Sequence, residues 1–392
     1  MKPTITLYER TPHEDPLLVK ALKPIARQFV DNSFRKVFHF SGDTVVVYHY
    51  AGIIRAGNYL VEVLPKIDKD KPSPTAARQV LTRLLALQPE SLHSEGEAST
   101  GLQSDTPLLP FISAYLQVLS PLSNITLWPQ IPAKRLQQEG NIGPFYLDGH
   151  GYDKYGIPLN ELIEAALIEL LSMDLSPTLS RQVTETLDRI SGGHVPINRP
   201  LPALARRKVS HDPTSGLKDP FRTAAEWTLR ILHTLWPDLY PREHASPGLM
   251  LDTEQLWEKA LLNLCNSRLG NCWHLDKERS LPFWGSKKQH VDGLLHHSSG
   301  KRIIIECKWL VYKDSPDIDH LRQVLSYLIA SNAHAAIIIV PTLGSTGYSW
   351  EEEFFGTSGL KGAVLQLTIG NPDAGIEKVA CDLERYLTRI MR

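Results

Sequence analysis

The segment Arg302–Lys308 constrains this chain more than any other part of its sequence. Ile303–Ile305 is a short β-branched run, which is typical of a buried strand. The run ends in Glu306-Cys307-Lys308, although isolated charges are costly to bury. Because side chains two positions apart point to the same side of a strand, we expect Glu306 and Lys308 to lie together. Many strands end in a charged residue, so this pattern indicates a functional site only together with the residues around it.

A second carboxylate precedes this strand. Asp292 lies in the segment Val291–Leu295, and the polar, glycine-containing stretch His296–Gly300 separates it from the strand. A hairpin at this stretch would bring Asp292 close to Glu306. Two carboxylates can share Mg²⁺, which makes a bound water acidic, while the cation and a nearby lysine stabilise charge developing on a phosphate. The pattern predicts a phosphodiesterase site; the plainer alternative is three charged residues at ordinary strand ends.

The predicted metal ligands are all oxygen atoms. Asp292 and Glu306 supply carboxylates, and the backbone carbonyl of Cys307 supplements them. Such hard ligands favour Mg²⁺ or Mn²⁺. Lys308 is predicted to orient or activate the attacking water and to neutralise the scissile phosphate. We interpret the Cys307 side chain as a small buried apolar group and not as a reactive thiol.

Other residues near the hairpin also have side chains that could bind ligands. His290, His296 and His297 lie in or next to the turn, where solvated histidines are a better interpretation than metal ligands. Lys287 and Lys288 are candidates for contacts with DNA phosphates. The four cysteines show no paired spacing of the kind found in zinc sites.

Composition and length bound the class of protein. With 392 residues the chain is long enough for two or three domains. Its 42 basic and 43 acidic residues leave a net charge of −1, so bulk charge alone would not hold it on DNA. We expect no signal peptide at the start and no membrane-spanning segment, and a reducing cytoplasm is the simplest compartment.

The pattern along the chain predicts a multidomain α/β protein. We expect a strand-rich N-terminal domain in residues 1–150, with strands at Thr4–Tyr8, Thr44–Tyr50 and Tyr59–Leu64. A helical middle region should span residues 151–245, with a linker near 191–220 where glycine and proline are frequent. The C-terminal domain should span residues 246–392. The helices predicted by apolar periodicity before this last domain are 76–87, 108–119, 159–173, 177–190 and 221–235.

Two helices of the C-terminal domain carry further candidate residues. The first is predicted to begin at a cap on Asp252, and Glu258 lies off its apolar stripe, so that periodicity alone makes it a surface acid. On the helix that follows the strand of Glu306, Gln323 lies off the apolar stripe and on the same face as Tyr327. The stripe of that helix comprises Ile318, Leu321, Val324, Leu325 and Leu328.

Two separated parts of the chain resemble McrC proteins, the nuclease subunits of McrBC-type, modification-dependent (5-methylcytosine) restriction systems. Tyr50–Arg55 and Val61–Ile67 look like the N-terminal signature of that family. The segment Leu256-Trp257-Glu258, the set Asp292 with Glu306-Cys307-Lys308, and Gln323–Tyr327 resemble its nuclease motifs.

The resemblance implies a C-terminal nuclease domain of the restriction-endonuclease-like PD-(D/E)XK class, with an αβββαβ core. It implies catalytic roles for Asp292, Glu306, Lys308, Gln323 and Glu258. It also implies a hexameric AAA+ GTPase partner of the McrB type, which the N-terminal region binds and whose GTP hydrolysis the chain stimulates, and DNA as the substrate. The proline before the first acid of the family is replaced here by a valine, and residues 90–245 show no clear match.

Two other functions stay open from the sequence. The chain could be a stand-alone nuclease of the same fold, against which the Leu64–Ile67 block argues. It could also be a non-catalytic adaptor or activator of an AAA+ NTPase, against which the intact set of Asp292, Glu306 and Lys308 argues.

Overall fold

A computed structural model describes most of the chain. The described residues are 4–26, 37–67, 72–87, 109–122, 125, 127–131, 133–135, 157–173, 175–191, 207–209, 217–235, 248–284, 287–312, 317–353, 360–369 and 376–391. Most of the predicted linker at 191–220 lies outside them. The architecture is mixed α/β, as predicted from the alternation of periodicities.

The N-terminal part is strand-rich among its described residues. Its elements are β1 (Thr4–Tyr8), β2 (His13–Glu14), α1 (Pro16–Ala26), β3 (Phe38–Ser41), β4 (Thr44–Val47), β5 (Tyr50–Ala56) and β6 (Tyr59–Leu64). The predicted strand at 44–50 is divided between β4 and β5, because His49 adopts a left-handed backbone with φ of 60°. A hairpin turn then joins β5 to β6, and Gly57 supplies the positive φ of 55° that this turn requires.

The middle part is mainly helical where it is described. Its elements are α2 (Pro74–Ala86), α3 (Leu109–Leu119), β7 (Gln130–Ile131), β8 (Ala133–Arg135), β9 (Ile157–Pro158), α4 (Leu159–Leu171), α5 (Pro177–Ile190), β10 (Arg207–Val209) and α6 (Phe221–Leu235). The helices α2 and α5 each begin with a serine cap followed by proline, Ser73 and Ser176 accepting the backbone N–H three residues later.

The C-terminal part alternates helices with the strands of a large sheet. Its elements are β11 (Gly248–Asp252), α7 (Thr253–Arg268), β12 (Trp273–Trp284), β13 (Lys287–His297), β14 (Arg302–Cys307), α8 (Ile318–Ser331), β15 (Ala335–Thr342), β16 (Gly347–Glu353), β17 (Lys361–Thr368) and α9 (Ile376–Ile390). Asp252 caps α7 as predicted, accepting from the backbone N–H groups of Glu254 and Gln255.

A six-stranded mixed sheet organises the C-terminal part, in the order β12-β13-β14-β15-β17-β16. The strands β14, β15 and β17 are parallel, whereas β12, β13 and β16 pair antiparallel with their neighbours. Side chains alternate along β14, so Ile303 and Ile305 join the cluster that contains α7 and α9, while Ile304 joins the cluster that contains α8. Helices therefore cover both faces, which explains why β14 and β15 are almost continuously apolar.

The N-terminal sheet continues into the segment just before α7. Its strand order is β1-β6-β5-β11, with Met250 of β11 opposite Gly52 of β5. One core cluster includes Ile53, the middle helices, and both α7 and α9. Residues 248–252 thus belong structurally to the N-terminal sheet, and the division into 1–150, 151–245 and 246–392 stays a prediction. Among the described residues, no helix is long and apolar enough to cross a membrane.

Candidate nuclease site

Neighbouring strands bring Asp292 and Glu306 together. Gly293 of β13 pairs with Ile305 of β14 in an antiparallel register. Asp292, just before Gly293, and Glu306, just after Ile305, therefore lie on the same side of this pair. The backbone N–H of Cys307 donates to Asp292 Oδ2 over 2.7 Å. This bond ties the first acid to the end of the strand that carries the second. The hairpin predicted between Asp292 and Glu306 is thus present, and Gly300 provides its turn with φ of 83°.

Glu306 is buried, with a relative exposure of 2%. Its Oε1 atom forms an ion pair with Lys308 Nζ, which lies 2.7 Å away. Its Oε2 atom is buried and has no hydrogen-bond partner among the described residues. Burial raises the pKa of Glu306 to about 7, and the charge of Asp292 adds to this effect, while Lys308 opposes it. An unsatisfied buried oxygen between like charges is a position where a cation would be stabilised.

Lys308 is held at the same strand end. Its backbone N–H donates to the carbonyl of Ile339 on β15 over 3.1 Å. Burial lowers the pKa of Lys308, but the charge of Glu306, their hydrogen bond and the charge of Asp292 outweigh it, so the pKa lies above its ordinary value of 10.5. The side chain therefore stays an ammonium group at neutral pH, directed at the paired carboxylates.

Glu258 approaches the site from α7. The preceding Trp257 is buried and donates from its indole Nε1 to the carbonyl of Ile339 over 3.2 Å, which fixes α7 against β15. Glu258 is only partly exposed, and its charge helps to raise the pKa of Glu306 and that of the Cys307 thiol. Periodicity alone makes Glu258 a surface acid, whereas the structure leaves it only partly exposed on a helix that Trp257 anchors to β15.

One face of α8 also lies near the site. Gln323 Nε2 donates to the hydroxyl of Tyr327 over 2.6 Å. Burial raises the pKa of Tyr327 and the charges of Glu306 and Asp292 raise it further, so this hydroxyl lies within electrostatic reach of both acids. From the sequence, Tyr327 is expected only to share a helix face with Gln323.

His320 was missed altogether in the sequence. It lies one helical turn before Gln323, and burial together with the charge of Lys308 lowers its pKa. The spacing of three and four residues along α8 was the signal that could have found His320 with Gln323 and Tyr327.

The donors present suit a hard cation. The carboxylates of Asp292 and Glu306 and the Cys307 carbonyl could hold Mg²⁺ or Mn²⁺, which commonly keep several waters beside one or two protein carboxylates. Within the described ranges, no group of three or more His, Cys, Asp or Glu side chains is arranged to hold a metal ion. The Cys307 thiol packs against the core, and burial raises its pKa well above 9.0, so it is not a thiolate ligand.

The remaining candidates all lie on β13, the strand that carries Asp292. Lys287, Lys288 and His290 are exposed on β13. His296 Nε2 contacts Asp276 Oδ2 over 3.0 Å, and His297 Nδ1 contacts the hydroxyl of Ser299 over 2.8 Å.

Comparisons with known proteins give matches by structure only. No family model matches the sequence, and no curated protein matches it. The chain is similar to a chain of the "tetradecameric assembly of Thermococcus gammatolerans McrB AAA+ hexamers with bound McrC", with a TM-score of 0.58 and 16% identity. That match covers 99% of this chain and 100% of the other.

A second structure, the "Thermococcus gammatolerans McrBC complex", matches 69% of this chain and 89% of the other at 16% identity, with a TM-score of 0.37. The second score is too low to carry an argument. The full-length match shows that this chain has the fold of a chain from an McrB–McrC assembly, and it confirms at the level of the fold the resemblance that the sequence motifs predicted.

Proposed function

We propose that this chain is the DNA endonuclease subunit of a GTPase-driven, modification-dependent restriction complex. The observation that carries the proposal is the arrangement of Asp292, Glu306 and Lys308, whose charges converge beside the carboxyl end of β14 although burial of Glu306 is unfavourable. Structural ion pairs also perturb pKa values, but they rarely leave a buried carboxylate oxygen unsatisfied. In this proposal α7 to β15 form the αβββαβ core of a PD-(D/E)XK nuclease.

Each residue has a proposed task in phosphodiester hydrolysis. A bound Mg²⁺ would supply an acidified water and would neutralise charge on the scissile phosphate. Asp292 and Glu306 would hold the cation through their carboxylates. Lys308 orients the attacking water and stabilises the negative charge that develops on the phosphate. Its ion pair with Glu306 keeps the ammonium group at the site before substrate binds.

The surrounding residues would orient the substrate. Gln323, whose amide is held by Tyr327, positions a water or a backbone phosphate, and Glu258 places a further negative charge near the cation. Lys287 and Lys288 are exposed on the strand that carries Asp292, so they can contact DNA phosphates beside the site.

The partner in this proposal is an McrB-type AAA+ hexamer in the cytoplasm, bound through the N-terminal region. Its support is the structural match to an assembly in which McrB hexamers carry bound McrC, together with the Val61–Ile67 signature. The chain would stimulate GTP hydrolysis by the partner and cut DNA that the partner has recognised.

The test is reconstitution of the full-length chain with the AAA+ protein encoded beside it. We expect a complex on gel filtration, GTP hydrolysis faster than that of the partner alone, and cleavage of cytosine-methylated plasmid only with Mg²⁺ and GTP. Lys308→Met should abolish cleavage and keep the stimulation of hydrolysis. Cleavage by the chain alone would instead identify a stand-alone nuclease, and stimulation without any cleavage would identify a non-catalytic activator.

A further inference from the structure

A buried acid of the N-terminal sheet reaches the segment that carries Lys308. Glu9 follows β1 and has a relative exposure of 0%. Its Oε2 atom accepts from the indole Nε1 of Trp309 over 2.8 Å, and its Oε1 atom accepts from the hydroxyl of Thr253 over 2.9 Å. These partners lie 300 and 244 residues away in sequence. A fully buried carboxylate is unfavourable without partners. Its position at the junction of the turn after β1 with Trp309 and Thr253 therefore indicates a specific role.

Trp309 is held at two points by consecutive residues. Glu9 accepts from its side chain, and Arg10 Nη2 donates to its backbone carbonyl over 2.7 Å. Trp309 is itself buried and lies against Trp257, with ring centroids 6.4 Å apart. Since Trp309 directly follows Lys308, a displacement of its backbone would move the catalytic lysine.

The backbone of the N-terminal sheet fixes Glu9 and Arg10. The N–H of Glu9 donates to the carbonyl of Leu64 over 2.9 Å, and the N–H of Arg10 donates to the carbonyl of Val47 over 2.7 Å. The backbone of Lys66 also hydrogen-bonds to the Glu9 carboxylate. The Leu64–Ile67 block of the N-terminal signature therefore supports Glu9 directly.

The same junction holds the start of α7, which carries Glu258. The N–H of Thr253 donates to the carbonyl of His49 over 2.9 Å, and His49 Nδ1 lies 2.8 Å from Glu254 Oε1. Arg10 lies 3.9 Å from the same Glu254 oxygen. The start of α7 and the segment around Trp309 are thus both attached to Glu9 and Arg10, in the turn after β1.

We propose that Glu9 and Arg10 are positioning residues for phosphodiester cleavage, which hold Trp309 and thereby fix Lys308 against Glu306. This inference rests on the proposed nuclease function. Glu9 contacts no reacting atom, because its carboxylate is buried and directed at Trp309 and Thr253. The N-terminal sheet is then a part of the nuclease site as well as the region proposed to bind the partner.

The test compares three full-length variants with the wild type. Glu9→Ala leaves the Trp309 indole N–H without its acceptor, whereas Glu9→Gln keeps one acceptor for it and offers an amide N–H to the Thr253 hydroxyl. Tyr115→Phe is the matched control, since it removes a buried hydrogen bond to Thr228 that joins two of the middle helices and involves neither Glu9 nor Trp309. Two quantities are measured: hydrogen–deuterium exchange of the peptide covering 306–312, and kcat and KM for cleavage of methylated plasmid in the reconstituted complex.

We expect Glu9→Ala to accelerate exchange in that peptide and to lower kcat at least about tenfold with little change in KM, because small displacements of a catalytic group are costly. Glu9→Gln should restore both values to within about twofold, and Tyr115→Phe should change neither. Arg10→Ala, at a partly exposed residue, should act in the same direction as Glu9→Ala and guards against a folding defect of the latter.

Each failure has a distinct meaning. Exchange unaltered in Glu9→Ala overturns the proposed hold on Trp309. Faster exchange with an unaltered kcat overturns the positioning role. If the wild-type complex cuts no DNA at all, the proposed nuclease function and the positioning role are both overturned. Faster exchange in Glu9→Ala would in that case still show that Glu9 holds Trp309 in place.

Discussion

The ionisation of Glu9 makes a quantitative prediction about stability. Burial raises the pKa of Glu9 from its ordinary 4.5 to about 7, while Trp309, Arg10 and Thr253 oppose the shift. In the folded protein this carboxyl keeps its proton at pH values at which the unfolded chain has lost it. Its stabilising contribution is therefore fully present below pH 4.5 and is lost as the pH rises through about 7. Glu9→Gln removes this titration. The unfolding free energy of the variant should therefore increase relative to that of the wild type as the pH rises.

The magnitude follows from the size of the shift. One pKa unit corresponds to about 1.4 kcal/mol, so the full shift corresponds to roughly 3.5 kcal/mol. Between pH 5 and pH 8.5 most of the titration is covered, and the difference in unfolding free energy between Glu9→Gln and the wild type should rise by about 2.5 kcal/mol. Groups common to both proteins cancel in this difference.

The assay is urea unfolding of both proteins at several pH values, followed by tryptophan fluorescence. Tyr115→Phe is the control, because burial raises the pKa of Tyr115 further above its ordinary value of 10, out of the range of the experiment. Its difference from the wild type should stay constant with pH. A constant difference for Glu9→Gln as well would show that Glu9 is ionised throughout, and the account of its burial would be refuted.

Three further predictions concern the site. Asp292→Asn should lower cleavage at least about 100-fold, because it removes a preorganised charge, while its melting temperature and complex formation stay near wild type; loss of folding would show a structural role. Chelator should abolish cleavage; Mg²⁺ or Mn²⁺ should restore it, and Ca²⁺ should not. Calorimetry should show weaker Mn²⁺ binding to Glu306→Gln than to the wild type. Equal binding would place the metal elsewhere. Gln323→Ala should lower kcat about tenfold, whereas the exposed neighbour variant Arg322→Ala should not; equal rates would make Gln323 an ordinary surface amide.

Local patterns were enough for the strands and for the pair of acids. The β-branched run before Glu306 and the glycine-containing turn after Asp292 are properties of adjacent residues, and a hairpin converts them directly into proximity. The first residues of helices were also predictable from the sequence, because a cap such as Asp252 accepts hydrogen bonds from backbone N–H groups only a few residues away. Periodicity was less reliable for α8, where Ile318 of the predicted apolar stripe is 54% exposed, since the sheet covers only part of that helix face.

Contacts between distant segments were decided only by the tertiary structure. Glu258 is off the stripe of its own helix and became part of the site because Trp257 anchors α7 to β15. The pairing of β11 with β5 and the bond of Trp309 to Glu9 join residues about 200 to 300 positions apart. Sequence periodicity reports which side of an element is apolar, and it carries no information on which other element covers that side. The amino-acid sequence by itself thus indicated the acids, the lysine and their strands, whereas only the tertiary structure decided that Glu9 and Arg10 bond to Trp309, the residue after Lys308.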